Sequence, residues 1–414
     1  MSVDPAERVL SIQSHVVFGY VGGKAAVFPL QCLGYDVDVV NTVNFSNHSG
    51  YGRSGGTKTT AAELNSIFDG METNELLMPT RLLTGYIPGA EALTAVAQLA
   101  QKLKATKEGL IYLLDPVMGD AGQLYVAADV IPVYKDLLPQ ATVITPNWFE
   151  VEVLTDTQLK DLPSLHTALR ILHEQYHVPH VVISSIPLKP WLLAALPEHI
   201  KPDADSLDSN EYLLCISSSS SHSSKDRLRP SIVHAQCVPL IPGYFSGVGD
   251  LFSALLLAHF HPKPSVNGPG TDGIPNLNDI PDTIRTTTNG IPTPLTTPST
   301  PSPICTPSLL PLPSSSSSSS PSSFSTTPLS TAASLALHKT HSILLLTHSS
   351  AQSLPYEERE PTDDELDALE PLRRTRRMRG RELALVRGQG VMRGDVKGAS
   401  EGRELVFWDG FWDL

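Results

Sequence analysis

The chain of 414 residues carries 43 acidic and 30 basic side chains, and its net charge of −13 argues against a nucleic-acid-binding surface over the whole fold. Its four cysteines, Cys32, Cys215, Cys237 and Cys305, form no C-x-x-C pair, so neither a zinc site nor a disulfide framework is expected. We see no signal peptide and no apolar run of about 18 residues, and therefore expect a cytoplasmic protein with small-molecule partners and no membrane contact.

The first hundred or so residues alternate between predicted strands and predicted helices. Strands are expected at Arg8–Ser14, Tyr35–Val43 and Arg81–Tyr86. Helices are expected through Phe28–Gln31, Thr60–Met71 and Ala90–Lys104. The polar and aromatic loop 44–52 follows the second strand, and loops of this composition often line a binding site.

Three further strands are followed directly by polar or acidic residues. Leu110–Leu114 leads into Asp115-Pro116-Val117-Met118-Gly119-Asp120, Ala141–Ile144 leads into Thr145-Pro146-Asn147-Trp148-Phe149-Glu150, and His180–Ser185 ends in two serines. Apolar strands that alternate with helices predict a parallel sheet covered on both faces. Ligands of such sheets bind beyond the carboxyl ends of the strands, so we expect these loops to share one crevice.

The next part of the chain predicts an antiparallel extension of this sheet. Glu211–Ile216 is a predicted strand, and Ile232–Leu240 is another. Between them, the serine run Ser217–Ser221 and the basic residues Lys225, Arg227 and Arg229 are interpreted as a mobile loop.

A glycine-rich turn, Gly243–Gly249, continues without a break into the apolar helix that starts near Asp250 and extends to Phe260. Glycines on both sides of Val248 allow a tight turn that exposes backbone N–H groups, and the start of a helix adds positive potential. The pattern is typical of an anion-binding site with a candidate base inside it. The simpler alternative is an ordinary helix start with Asp250 as a first-turn acid.

The composition changes sharply after Phe260. Residues 262–331 are rich in Pro, Ser, Thr, Asn and Gly and include the run Ser314–Ser320, which predicts a disordered insertion. Helical apolar patterns resume near Ala332, at Ala332–Leu337 and Ser342–Leu346. An artefact of the gene model, such as a retained intron, is the alternative explanation of the insertion.

The last part of the chain is charged and then aromatic. An acidic run at 357–370 precedes the basic run Arg373–Arg379, which we interpret as an exposed charged linker, with nuclear targeting as the alternative. Glu382–Val386 is expected to form a last strand or helix. The sequence offers no explanation for the aromatic tail Phe407–Leu414.

Six motifs together resemble the pyridoxal kinase family of the ribokinase-like superfamily. They are Ser11–Val17, Gly34–Tyr51, Leu83–Tyr86, Asp115–Asp120, Ile144–Asn147 with Glu150, and Gly247–Phe252. The resemblance covers Arg8–Phe260 and resumes at Arg381–Val386, which is similar to the last strand of the family. The fourth and fifth motifs are less specific than the first two, because the Asp-Pro-Val and Thr-Pro-Asn motifs also occur in hydroxymethylpyrimidine kinases.

The resemblance implies a three-layer αβα sandwich with a central, mostly parallel sheet. The kinase domain would comprise residues 1–261 and 332–395, with the insertion at 262–331 and a tail of uncertain role at 396–414. The implied reaction is ATP-dependent phosphorylation of the 5′-hydroxymethyl group of pyridoxal, and also of pyridoxine and pyridoxamine. The implied cofactors are a divalent cation, Mg²⁺ or Zn²⁺, and a monovalent cation, K⁺ or Na⁺, and the implied assembly is a homodimer.

The resemblance also implies a role for each matching residue. Asp250 would be the general base, and the N–H groups of Gly247, Val248 and Gly249 would form the anion hole. The residues expected to bind the vitamer are Ser14, Val21, Phe45, His48, Ser49, Tyr86 and Tyr125. Those expected to bind ATP are Asp115, Asp120, Thr145, Asn147, Glu150, Ser184 and Ser185, of which Asp115, Glu150 and Thr145 would hold the divalent cation.

Several positions depart from the pattern of the family. Val248 replaces a threonine between the two glycines, and Ser49 replaces another threonine. The loop 121–123 is shorter than in animal members and the segment 187–210 is longer, so closure over ATP is open to question. Two alternatives therefore stay open: a hydroxymethylpyrimidine kinase of the same fold, and a vitamer-binding protein that has lost activity.

Overall fold

The computed structural model describes residues 7–203, 207, 211–220, 229–262, 326–359, 364–395 and 404–413. Within these residues the strands are β1 Arg8–Val16, β2 Asp36–Phe45, β3 Gly56–Lys58, β4 Arg81–Thr84, β5 Ile111–Leu114, β6 Gly119–Asp120, β7 Gln123–Leu124, β8 Val143–Ile144, β9 His180–Pro187, β10 Tyr212–Ser220, β11 Ser231–Pro239 and β12 Val406–Phe407. The α-helices are α1 Gly23–Cys32, α2 Ala61–Thr73, α3 Ala90–Thr106, α4 Val130–Leu137, α5 Trp148–Thr155, α6 Leu162–Arg170, α7 Pro190–Ala195, α8 Val248–His259, α9 Pro328–Gln352, α10 Tyr356–Arg359, α11 Asp364–Leu369, α12 Pro371–Arg379 and α13 Gln389–Arg393.

One sheet of ten strands runs through the molecule in the order β12-β11-β10-β9-β8-β5-β4-β1-β2-β3. The six strands from β9 to β2 pair in parallel, whereas β3 at one end and β10, β11 and β12 at the other pair antiparallel. The mostly parallel sheet and its antiparallel extension are therefore confirmed.

Alternate side chains of the central strands enter two separate cores. Leu10, Leu82 and Tyr112 pack on one face with α3, whereas Val9 and Leu83 pack on the other face with α1, α8 and α9. This alternation follows from the period of two in a strand. The result is the expected three-layer αβα sandwich.

The serine run belongs to the sheet, which corrects one prediction. Ser217–Ser220 continue β10 and pair with β9 and β11 on either side, so they are not part of a mobile loop. The hydroxyl of Ser218 lies 2.8 Å from Nε2 of His173 and donates to Oγ of Ser231 at 2.7 Å, which satisfies a polar side chain in a buried strand. Ser221, Lys225 and Arg227 lie outside the described residues.

The helix after the insertion begins earlier than the composition predicts. Thr327 caps it with a reciprocal capping box to Ser330, and Pro328 occupies the first turn, where its missing N–H is not needed. The two predicted apolar segments form one continuous helix, α9. Residues 263–325, which include Cys305, lie outside the described part, so the insertion and the division into domains stay predictions.

The basic run is not an exposed linker, which corrects a second prediction. Arg373 and Arg377 of α12 are buried and both donate to the carboxylate of Asp367 in α11. Two arginines around one carboxylate neutralise a buried charge that would otherwise be costly.

The last strand of the sheet lies further along the chain than expected. Residues 381–388 form turns and short coil, not a strand or a helix, and β12 comes from Val406–Phe407 in the tail. Trp412 Nε1 donates to the carbonyl of Ser231 at 2.9 Å, and Trp408 is buried. The aromatic tail thus covers an edge of the sheet that would otherwise expose unpaired backbone groups.

Candidate active site

The carboxyl ends of the parallel strands bring the predicted site residues to one edge of the sheet. Ser14 lies near the end of β1, and Asp115 and Thr145 follow β5 and β8 directly. Tyr86 lies two residues beyond β4, and Ser184 lies within β9, where its N–H donates to the Pro146 carbonyl at 3.1 Å. The crevice expected from the sequence therefore contains residues from five strands.

The glycine-rich turn packs directly against the first loop of the chain. Gly247 is the N-cap of α8 with φ 80°, and a Cβ at this position would lie 2.0 Å from the carbonyl oxygen of Tyr20. Only glycine fits such a close approach in this conformation. The first N–H groups of α8 have no partner within the helix, so the turn can bind an anion.

Asp250 is connected to the opposite side of the crevice by a backbone hydrogen bond. The N–H of Gly22 donates to Oδ2 of Asp250 at 2.8 Å. Gly22 has φ 53°, and a Cβ there would lie 2.1 Å from Oγ of Ser14. Ser14, Gly22 and Asp250 therefore form one closely packed group that no spacing in the sequence reveals.

Three carboxylates in this crevice have raised proton affinity, mainly because they are buried. Burial raises the pKa of Asp115, and the charges of Glu150 and Asp250 raise that pKa further. Burial also raises the pKa of Glu150 and of Asp250, although hydrogen bonds from backbone N–H groups act in the opposite direction and lower both pKa values. Such a concentration of negative charge favours the binding of a cation.

Ser253 joins two of the predicted residues, although no motif in the sequence includes it. Its hydroxyl donates to Oδ2 of Asp115 at 3.0 Å and lies 2.8 Å from Oγ1 of Thr145, and all three side chains are buried. Ser253 follows Asp250 by three residues, so both lie on the same side of α8. That spacing was the one signal that could have identified it.

Glu150 and Asn147 connect the loops that follow β5 and β8. They form a capping box at the start of α5, in which Asn147 Oδ1 accepts from the Glu150 N–H and Glu150 Oε2 accepts from the Asn147 N–H. Glu150 Oε1 accepts from the Met118 N–H at 2.9 Å, and Asn147 Nδ2 donates to the Gly119 carbonyl at 2.8 Å. Both side chains are therefore fixed by structural hydrogen bonds.

These donors fit a divalent cation held mainly by phosphate and water. Each Glu150 oxygen already accepts a backbone N–H bond, which favours contact with a cation through water over direct ligation. Among the described residues, no cluster of three or more His, Cys, Asp or Glu could hold a metal ion by itself. Magnesium ions usually keep several waters and bind one or two carboxylates together with substrate phosphates.

The loop after β2 lies beside the loop after β1, because the Val17 N–H donates to the Phe45 carbonyl at 2.9 Å. Phe45 ends β2, and His48 caps the short 3-10 helix Ser49–Tyr51 through a hydrogen bond from the Gly50 N–H. The side chains of Ser49 and Tyr125 are exposed, and Tyr125 follows the small hairpin of β6 and β7. Asp120 lies in the same hairpin, where its carboxylate accepts from the Ala121 N–H at 2.7 Å.

Curated relatives of this chain are pyridoxal kinases. A putative pyridoxal kinase of Saccharomyces cerevisiae is 41% identical over 256 residues, which cover 60% of this chain and 73% of the relative. The pyridoxal kinase of Arabidopsis thaliana is 39% identical over 62% of this chain and 75% of its own length. The chain belongs to the pyridoxal kinase family.

A model of the phosphomethylpyrimidine kinase family also matches residues 47–190. Among solved structures, the pyridoxal kinase of Leishmania donovani in complex with ADP and pyridoxamine has a TM-score of 0.64 and 26% identity, and the match covers 97% of this chain and 99% of that chain. The same enzyme in complex with ADP and pyridoxine has a TM-score of 0.63. The ribokinase-like α/β fold expected of the pyridoxal kinase family is thus confirmed.

No helix of the described residues combines the length and the hydropathy needed to cross a membrane. Cys32, Cys215 and Cys237 are free thiols in the described part of the chain.

Two further residues near the site, Arg374 and Glu382, could not be selected from the sequence, because they lie more than 300 residues from the loop that they contact.

Proposed function

We propose that this chain transfers the γ-phosphoryl group of ATP to the 5′-hydroxymethyl group of pyridoxal, forming pyridoxal 5′-phosphate and ADP, and that it also accepts pyridoxine and pyridoxamine. The observation that carries the proposal is the hydrogen bond between Gly22 N–H and Asp250. It fixes an acid at an anion-binding turn directly beside Ser14. The residues proposed as base, phosphoryl site and vitamer site would therefore be adjacent, as phosphoryl transfer requires.

Asp250 would act as the general base. Its carboxylate takes the proton of the 5′-hydroxyl as that oxygen forms a bond to the γ-phosphorus, and the bond from the γ-phosphorus to ADP breaks. Burial raises the pKa of Asp250, which makes its carboxylate a better proton acceptor than an exposed aspartate. The proton is afterwards released to solvent.

The turn at Gly247–Gly249 would stabilise the charge of the transferring group. The N–H groups of Gly247, Val248 and Gly249 point out of the start of α8, and the helix dipole adds to their effect. The side chain of Val248 packs against the core beneath the turn. Replacement of the expected threonine therefore leaves the backbone donors in place, which supports an active enzyme over a vitamer-binding protein.

The other site residues divide between the two substrates. Ser14 would bind the pyridine ring and Ser49 its 3-hydroxyl group, while Val21, Phe45, His48 and Tyr86 enclose the ring and Tyr125 lies above it. Asp120, Asn147, Ser184 and Ser185 would contact the nucleotide. Burial raises the pKa of Tyr86, which keeps its hydroxyl neutral at physiological pH.

Asp115, Thr145 and Glu150 would hold the divalent cation, Mg²⁺ or Zn²⁺, that accompanies ATP. When bound, that cation would neutralise phosphate charge. We also propose a monovalent cation, K⁺ or Na⁺, near the phosphates, a homodimer and a cytoplasmic location. The two cation proposals rest on the resemblance and on the carboxylates described above, the homodimer rests on the resemblance, and the location rests on the features of the sequence.

The direct test uses the full chain with ATP, Mg²⁺, K⁺ and pyridoxal, and measures pyridoxal 5′-phosphate by its absorbance. We expect multiple turnovers, with a kcat/KM for pyridoxal well above that for hydroxymethylpyrimidine. A higher kcat/KM for hydroxymethylpyrimidine would support the second enzyme of this fold. Binding of pyridoxal and ATP without product would support a vitamer-binding protein and overturn the proposal.

A further inference from the structure

A carboxylate from the far end of the chain lies inside the loop that the vitamer is expected to contact. Oε1 of Glu382 accepts hydrogen bonds from His48 Nε2 at 2.9 Å and from the Tyr51 hydroxyl at 2.7 Å. Oε2 accepts from the Tyr20 N–H at 2.8 Å. The Glu382 side chain is only 11% exposed, so its charge depends on these three donors.

These contacts determine the tautomer and the orientation of His48. The Gly50 N–H donates to Nδ1 at 3.2 Å, so Nδ1 carries the lone pair and Nε2 carries the proton that Glu382 accepts. The rings of His48 and Tyr51 lie with their centroids 4.8 Å apart. Both ring nitrogens of His48 are therefore used within the protein, and the ring can offer the vitamer only its carbon edge and faces.

On the side that faces Gly19, this carboxylate is closely packed. A Cβ at Gly19 would lie 2.5 Å from Glu382 Oε1, and Gly19 has φ 96°. Arg374 Nε donates to the Gly50 carbonyl at 2.7 Å, so the segment after the insertion also fixes the backbone of the loop. Glu382 thereby joins the loop after β1 to the loop after β2.

We propose that Glu382, with Arg374, is a positioning residue that holds His48, Tyr51 and the Tyr20–Val21 backbone in the geometry that binds the vitamer. The inference rests on the proposed function of the His48 loop. It also gives the segment 371–382 a role in completing the substrate pocket, although the long insertion separates it from the other site residues. Hydrogen bonds from His48 and Tyr51 lower the pKa of Glu382 in spite of its burial, which agrees with a permanently ionised acceptor.

The contacts of Glu382 predict an effect mainly on one substrate. All three donors belong to the loops after β1 and β2. Asp115 and Thr145, which are expected at the nucleotide side, follow β5 and β8. Loss of Glu382 should therefore weaken vitamer binding much more than ATP binding, since of these contacts only that of Tyr20 adjoins the glycine-rich turn.

The test compares E382A, E382Q and Y51F with the control E358Q in the full chain. Glu358 belongs to the same part of the chain but pairs with Arg379. We expect E382A to raise KM for pyridoxal about tenfold with KM for ATP within twofold. E382Q should recover part of the loss, because an amide oxygen can still accept from Tyr51 or His48, while its NH₂ group cannot accept from Tyr20. Y51F, which removes one donor, should have a smaller effect, and combined with E382Q its effect should not be additive.

Pyridoxal affinity is measured by calorimetry as well as by turnover. If the wild type binds pyridoxal but forms no product, the proposed function fails, while a tenfold weaker Kd in E382A still supports the role of Glu382. A lower melting temperature in E382A with unchanged Kd and KM for pyridoxal would show that Glu382 is only structural. An equal loss of affinity for ATP and pyridoxal would also overturn the inference.

Discussion

The N–H of Gly22 donates to Oδ2 of Asp250 at 2.8 Å, although the two residues are 228 positions apart in the chain. The bond holds the proposed base towards the loop that follows β1. Since Gly22 also contacts Ser14, a change in this loop should affect the vitamer and the base together.

Replacement of Gly22 by alanine should severely reduce activity. The new Cβ would lie 2.1 Å from Ser14 Oγ and 2.3 Å from the Ser14 carbonyl oxygen, so the loop must move and carry its N–H away from Asp250. We expect kcat to fall about a hundredfold, the cost of a displacement of about 1 Å at a catalytic group. Gly34→Ala is the control, because Gly34 has φ 90° but no atom within 4 Å of a new Cβ. Equal losses of kcat in both variants would show that backbone strain alone causes the effect.

Ser253→Ala should affect the nucleotide side of the site. The change leaves Asp115 and Thr145 without their shared hydroxyl partner in a buried environment. We expect kcat/KM for ATP to fall about tenfold, with KM for pyridoxal unchanged. The loss should be greatest at low Mg²⁺, which a magnesium titration measures. Ser66→Ala, on the exposed side of α2, is the matched control, and identical kinetics in the two variants would contradict this role.

Val248→Thr tests whether the turn lacks a useful hydroxyl group. The backbone N–H of residue 248 is present with either side chain, and Val248 packs against the core. We therefore expect kcat to remain within about twofold of the wild type, since preorganised backbone donors supply the stabilisation. Val248→Ala keeps the N–H and removes the packing. It should therefore lower the melting temperature, while kcat stays close to that of the wild type. A tenfold rise in kcat for Val248→Thr would show that the natural turn is impaired.

Asp367 should make stability dependent on acid pH. Its hydrogen bonds with Arg377 and Arg373 lower its pKa to about 2, from an ordinary value of 3.8. Because the folded-state pKa is the lower one, this stabilisation is complete above about pH 4 and is lost as the pH falls towards 2. The difference in melting temperature between the wild type and Asp367→Asn should therefore be large at pH 7 and shrink below pH 4. A difference that stays constant to pH 2.5 would contradict the ion pair, and Asp69→Asn, on an exposed face of α2, should show no difference at any pH.

The sequence predicts well what is local, and less well what depends on distant contacts. Hydrophobic periodicity correctly indicates β1, β5, α2 and α3, and the resemblance correctly indicates the fold. The burial of Arg373 and Arg377 is not visible in composition, because it depends on one aspartate that lies in a different helix.

In the candidate site too, local motifs can be identified from the sequence, whereas contacts between distant residues cannot. Motifs select Asp115, Glu150 and Asp250, but Gly22 and Glu382 become relevant only when loops separated by hundreds of residues meet. The serine run was misassigned because serine is common in loops, whereas here the run belongs to β10, which pairs with β9 on one side and with β11 on the other. Tertiary pairing overrides composition in that segment.

The central claim is that Asp250 takes the proton of the vitamer hydroxyl, and Asp250→Asn tests it most directly. Asparagine keeps the size of the side chain and an oxygen that can accept from Gly22 N–H, but it cannot act as the base. We expect kcat for pyridoxal to fall about a thousandfold, while Kd for ATP, measured by calorimetry, stays within threefold. Asp69→Asn should behave as the wild type. Turnover by Asp250→Asn within tenfold of the wild type would contradict the account.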